Sequence, residues 1–170
     1  MVKVLFALAA IFLFNNVIYA QTEVYSESNR GFTFRYFEGW TISNQNERIA
    51  VFAPKENRRD YQAENWGITS SFIGKRTLEE CYQEYIIESF PNLFESFKII
   101  DQGQSLLDGV KFKWIEYGFV QNGLEIKNLT YLAVHKEELF VLIGYSSKNR
   151  FDVKYGNLFR KMMESFKFIK

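Results

Sequence analysis

The residues able to do chemistry are few. Cys81 is the sole thiol and His135 the sole imidazole. A cysteine nucleophile needs a neighbouring base to take its proton. Cys81 instead falls between Leu78, Tyr82 and Tyr85 at helical spacing, the setting of a buried and inert thiol. His135 is followed by Lys136, Glu137 and Glu138 at a tight turn, so it is expected in solvent. The chain carries no CxxC, HExxH, GxSxG, Walker A or dinucleotide fingerprint, and no Asp/Asn-rich calcium loop. The sequence thus predicts no catalytic residue, no metal site and no cofactor.

Carboxylates are the next resource. Glu79, Glu80, Glu84 and Glu88 lie along one predicted helix, and the pairs 80/84 and 84/88 are spaced to share a face. A solvated acidic face is the expectation. A general acid–base pair needs an apolar surround to raise one pKa, and a weak divalent-cation site is the other alternative. The long polar stretch Pro54–Asn65 (PKENRRDYQAEN) has no periodicity. Loops of that length in compact domains are commonly functional or disordered. Arg58, Arg59 and Tyr61, next to Trp66, have the composition of binding hot spots, and these four are the candidate binding residues. An unconstrained surface loop is the alternative. Asn128-Leu129-Thr130 matches a glycosylation acceptor but falls in mid-strand.

The elements that must position these groups follow from periodicity. Gly31 to Tyr36 alternates as a half-buried strand, and Glu38-Gly39 turns it. Short strands follow at Trp40–Ser43, Arg48–Ala53 and Trp66–Ile73, with Trp40 and Trp114 expected in the core. Thr77 and Glu80 form a capping box at the start of the first helix. Leu78, Cys81, Tyr82, Tyr85 and Ile86 make its apolar stripe, and Pro91 is expected to end it near Phe90. Strands at Phe97–Leu107, Val110–Gln121, Leu124–His135 and Glu138–Tyr145 are joined by Asp108-Gly109, Asn122-Gly123 and Lys136-Glu137, the first two being strong hairpin signals. Leu139 to Ile143 is apolar at every position, as a strand covered on both sides would be, so helices are expected on both faces of the sheet. A last helix, about Phe151 to Ser165, supplies one cover. Gly156 inside it points to close packing.

Residues 1–20 differ from the rest: Lys3 precedes an apolar run, Val4 to Phe14, and Ala20 precedes polar Gln21. That is the three-part pattern of a secretory signal. The run is short for a membrane span, which needs roughly 18 apolar residues; an uncleaved anchor is the alternative. Cleavage after Ala20 removes one basic residue of 21 and none of the 20 acidic ones, leaving a formally neutral chain. Neutrality argues against a nucleic-acid partner or a polybasic membrane surface. One cysteine in an exported protein excludes an internal disulfide, so stability must come from packing. With 47% hydrophobic and 18% aromatic residues, the chain can build that core. The expected organisation is a signal peptide (1–20), a flexible lead (21–30) and a single α+β domain (31–170), with no membrane span once the signal is gone.

Three features together resemble the PsbP fold family, named for an extrinsic photosystem subunit and including secreted bacterial relatives. They are the opening Gly31-Phe32-Thr33-Phe34-Arg35-Tyr36-Phe37-Glu38-Gly39-Trp40, the strand–helix–meander–helix order, and the ending Glu164-Ser165-Phe166-Lys167-Phe168. The family often has Pro where this chain has Phe37. The resemblance implies a central antiparallel sheet flanked by helices on both faces, an α/β/α sandwich. Members mostly bind other macromolecules and are mostly not enzymes, so it also implies a secreted or periplasmic, non-catalytic binding or assembly module. Its partner would be another protein of the cell envelope or extracellular space. It carries over no functional residue. A carboxylate-based hydrolase and a carrier of a small apolar ligand are the alternatives from other classes. Intact-mass measurement of exported protein should give a chain beginning at Gln21; a species retaining Val4–Phe14 and partitioning with membranes would refute cleavage.

Overall fold

A computed structural model describes residues 22–45, 48–57 and 64–169; residues 1–20, expected as a signal, lie outside them. Among the described residues ten strands follow in chain order. They are β1 (Thr22–Glu27), β2 (Phe32–Phe37), β3 (Thr41–Gln45), β4 (Arg48–Phe52), β5 (Asn65–Phe72), β6 (Glu95–Leu107), β7 (Val110–Gln121), β8 (Leu124–His135), β9 (Glu138–Ser147) and β10 (Lys167–Phe168). Seven form one antiparallel sheet in the order β3-β4-β5-β9-β8-β7-β6, and β1-β2-β10 form a smaller one. The three meander hairpins turn on residues in the left-handed region: Asp108 and Gly109, Asn122 and Gly123, Lys136 and Glu137.

The segment read as a flexible lead is instead a strand. Thr22–Glu27 pairs along its whole length with Phe32–Phe37, and Tyr25 stacks on Phe34 at 5.1 Å. Its polar composition misled because an edge strand with one face in water needs only every second residue to be apolar.

β9 is the central strand, and its successive side chains enter two separate apolar clusters. Phe140 and Leu142 join Trp66, Ile68, Leu129, Phe159, Met162 and Met163 in one. Leu139 joins Cys81, Ile86, Ile115, Ile126 and Leu132 in the other, with Val141 packed against it. A strand contributing to both clusters must be apolar at every position, which accounts for the run Leu139–Ile143. The first cluster is shared by the C-terminal helix and the small sheet: Phe34 meets Trp66 edge-on at 4.7 Å, and Phe32 meets Phe140 at 6.1 Å. Trp40 is buried there against Tyr155 and Phe159, whereas Trp114 is only partly buried.

The first helix starts as the capping box requires: Thr77 N donates to Glu80 Oε2 at 2.7 Å, and Glu80 N donates to Thr77 Oγ1 at 3.2 Å. It does not end at Phe90. After Leu78–Tyr82 the chain widens into a π-helical stretch, Gln83–Ser89, and closes with an α-turn, Phe90–Leu93, that contains Pro91. Side chains supply donors around the proline that lacks one: Ser89 Oγ donates to the Glu84 carbonyl and Asn92 Nδ2 to the Glu88 carbonyl, both at 2.7 Å. The last helix likewise begins before the expected Phe151, running Lys148–Arg150, then π-helical Phe151–Tyr155, then Gly156–Glu164. Gly156 is needed at that junction, since a Cβ there would lie 2.6 Å from the Phe151 ring. Gly144 of β9 serves the same end: a Cβ would come within 2.6 Å of Phe159, so the bare backbone lets the helix press onto the strand.

Cys81 is fully buried, as its place on the apolar stripe required. Cys81→Ala should lower stability by about 1–2 kcal/mol in urea unfolding, the price of a small cavity. A bulky thiol reagent should label the wild type only after unfolding.

Candidate functional site

The ends of the Pro54–Asn65 stretch are held by side chains from the start of the C-terminal helix. Ala53 N donates to the Glu64 carbonyl at 2.8 Å, closing the loop at its base. Arg150 lies between the two stems, with Nη2 3.2 Å from Glu56 Oε2 and Nη1 2.8 Å from Glu64 Oε1. The second contact is an ion pair by distance whose angle does not make a hydrogen bond. Glu56 is further bound by Lys154 Nζ at 2.8 Å and Tyr155 OH at 2.9 Å. The hydrogen bonds from Lys154 and then Tyr155 hold the Glu56 carboxyl below its ordinary pKa, against a smaller opposing effect of burial. The Tyr155 phenol moves upward, through burial first and its bond to Glu56 second. Glu64 is 2% exposed and lies against the Arg150 guanidinium.

The candidate binding residues separate. Trp66 is fully buried in β5, on the face that meets the small sheet, and its ring packs against Phe34. It offers a partner no surface, which corrects its place among the binding residues: strand parity, not sequence proximity to the arginines, sets its direction. Arg58, Arg59 and Tyr61 lie outside the described residues. The two stems on either side of them are braced by Arg150 and Lys154, which are remote in sequence. Only the acidic residues at both stems hinted at it.

A second feature, missed in the sequence, is a cleft of about 480 Å³ where the small sheet ends over the large one. Its lower wall is the far end of β5, Ser70 to Phe72, together with Glu138, the cross-strand partner of Phe72. Its upper wall comes from the β1–β2 turn, through Glu27, Asn29 and Arg30, and Asn44 of β3 closes one side. The Glu27 carboxylate accepts from Tyr25 OH at 3.0 Å and Asn44 Nδ2 at 3.1 Å, with Arg30 at 3.8 Å. Phe72 is 76% exposed.

The other groups of chemical interest are structural. The acidic face of the first helix is largely engaged: Glu79 pairs with Lys113, Glu84 with Arg76, and Glu80 with the helix cap. Among the described residues no group of three His, Cys, Asp or Glu side chains could hold a metal ion. His135, expected in solvent, is only part-exposed because its ring stacks on Phe168 at 4.1 Å; burial and then Lys136 lower its pKa. Asn128 of the acceptor-like triplet is buried and donates to Tyr117 OH at 3.1 Å. Among the described residues no helix is long and apolar enough to cross a membrane.

No family model matches the chain, and no curated protein matches it in sequence. Solved structures do match. Cyanobacterial PsbP (CyanoP) from Synechocystis sp. PCC 6803 is similar over 90% of this chain and 95% of its own, at 19% identity and a TM-score of 0.65. LpqN, involved in cell envelope biogenesis of Mycobacterium tuberculosis, is similar over 89% and 92%, at 11% identity and a TM-score of 0.63. A protein of unknown function from Pseudomonas aeruginosa, a putative regulator, is similar over 85% and 94%, at 8% identity and a TM-score of 0.61. The fold is PsbP-like and α+β; at such identities the likeness is one of fold.

Arg150→Ala, which removes the cation shared by both stems and set against buried Glu64, should destabilise the fold more in urea unfolding than half-exposed Lys154→Ala, expected to cost under about 1 kcal/mol. Since the folded pKa of Glu56 is depressed, its contribution is present above the unfolded value and fades as pH falls through the folded one. Urea unfolding of Glu56→Gln beside wild type should show the difference shrinking toward acid.

Proposed function

We propose that the chain is an exported, non-catalytic binding or assembly module that engages a protein of the cell envelope or extracellular space through the loop between Glu56 and Glu64. In this reading the signal is cleaved after Ala20, and the domain is a three-layer α/β/α sandwich displaying the loop. The observation that carries it is the Arg150 brace, which ties both loop stems to one guanidinium. A loop held at its base loses less conformational entropy on binding than a free one, so more of its contact energy appears as affinity. Arg58 and Arg59 supply forked donors for a partner carboxylate, and Tyr61 supplies rigid contact area. The two apolar clusters, one with the first helix and one with the last, support the layered arrangement. The apolar run before Ala20, and the likeness in fold to an envelope-biogenesis protein, support an extracytoplasmic location.

Replacing Arg58, Arg59 and Tyr61 together by Ala should leave folding intact and weaken recovery of the partner from native extract by about 2 kcal/mol or more. Wild-type recovery by the triple variant would move the interface elsewhere, first to the acidic face of the first helix.

A further inference from the structure

We infer that the cleft at the open end of the two sheets is a binding site for a neutral saccharide. Its location follows from a change of residue type along three strands. Inside the sheet interface, β5 contributes Trp66 and Ile68, β9 contributes Leu142 and Phe140, and β2 contributes Phe34 and Phe32, all buried. At the mouth these rows continue as Ser70, Glu138 and the turn carrying Asn29 and Arg30. Buried apolar side chains that hold the sheets together give way to mostly polar ones, and the cleft lies there.

The walls select among ligands. An apolar ligand would have to desolvate Asn29, Asn44, Ser70 and Glu138 without returning their hydrogen bonds. An anion would face Glu27 and Glu138 with Arg30 alone in support, and that guanidinium already stands beside Glu27 and over the Phe32 ring at 5.3 Å. A cation would meet Arg30 in the same wall, and Glu27 is already bound by Tyr25 and Asn44. A polyhydroxyl ligand can return hydrogen bonds to these polar groups and carries no charge for either sign of the wall to oppose. Carboxylate and amide groups present paired acceptor and donor sites that match neighbouring hydroxyls, and serine hydroxyls act as either. The Phe72 ring, 76% exposed at the rim beside Glu138, gives the C–H face of a sugar ring an apolar surface to lie on. A volume of about 480 Å³ is in the range of small-ligand sites and has room for a short saccharide. The cleft is built from the two sheets and uses none of the residues of the braced loop, so it is a second site, separate from the proposed protein interface.

The test uses the purified chain from Gln21 onward, with cellobiose, maltose and chitobiose as probes and choline as the cationic control. Saturation-transfer NMR should show contact with at least one disaccharide, and titration should give a Kd of about 1 mM or tighter. Phe72→Ala should weaken that binding at least about tenfold with an unchanged melting temperature, since the ring is exposed, and Phe72→Trp should keep it. No binding by any of the three sugars at about 10 mM, equal binding by Phe72→Ala, or choline binding in their place would overturn the assignment.

Discussion

The ladder between β5 and β9 joins two halves of the chain that are otherwise built locally. Every other pairing in the large sheet is between strands consecutive in sequence, β3-β4, β4-β5, β6-β7, β7-β8 and β8-β9. Only Asn65–Phe72 against Glu138–Tyr145 spans the first helix and three further strands. The entropy of closing so long a segment must be recovered by what the ladder buries. It is recovered at Trp66, Ile68, Phe140 and Leu142, which bring the small sheet and the C-terminal helix onto one face. Without that ladder there is no surface for β2, β10 or the last helix to cover.

Both candidate sites are consequences of how that face is covered. Phe159 approaches β9 closely enough to require Gly144, and this seats the start of the same helix beside the stems of the Pro54–Asn65 loop. Arg150, Lys154 and Tyr155 can then reach Glu56. At the other end of β5 the cover stops. The small sheet runs out at its turn, β5 continues to Phe72, and polar groups line the gap. Brace and cleft thus occupy opposite ends of one strand, at the two places where the apolar face is incomplete.

Legibility in the sequence followed the range of the interaction and the residue types responsible. The capping box and the three hairpins depend on neighbours a few residues away, and the apolar run Leu139–Ile143 shows in residue type alone, so each was readable. Three features were not, either because polar composition or Pro91 masked a local arrangement or because the partner was distant. The pairing of β1 with β2 gave order to a polar segment. Ser89 and Asn92 accommodated Pro91 in the α-turn that follows the π-helical stretch. Phe168 drew His135 out of solvent. Trp66 is the sharpest case: beside Arg58 and Tyr61 in sequence it resembled a contact residue, and only the packing of the small sheet turned its face into the core. The cleft left no local signal at all, because its residues come from four strands and a turn.

By itself the sequence determined a secretory pattern at the start, an α+β domain with an antiparallel meander, a buried thiol and the absence of any known catalytic motif. Those are properties of local spacing and residue type, which fix backbone geometry and the direction of burial. Tertiary structure alone decided which residues meet: Arg150 with Glu56 and Glu64, and Phe72 with Glu138 at the edge of a polar cleft. Such meetings are set by strand order and helix seating, and these rest on packing between segments that nothing in their own spacing relates.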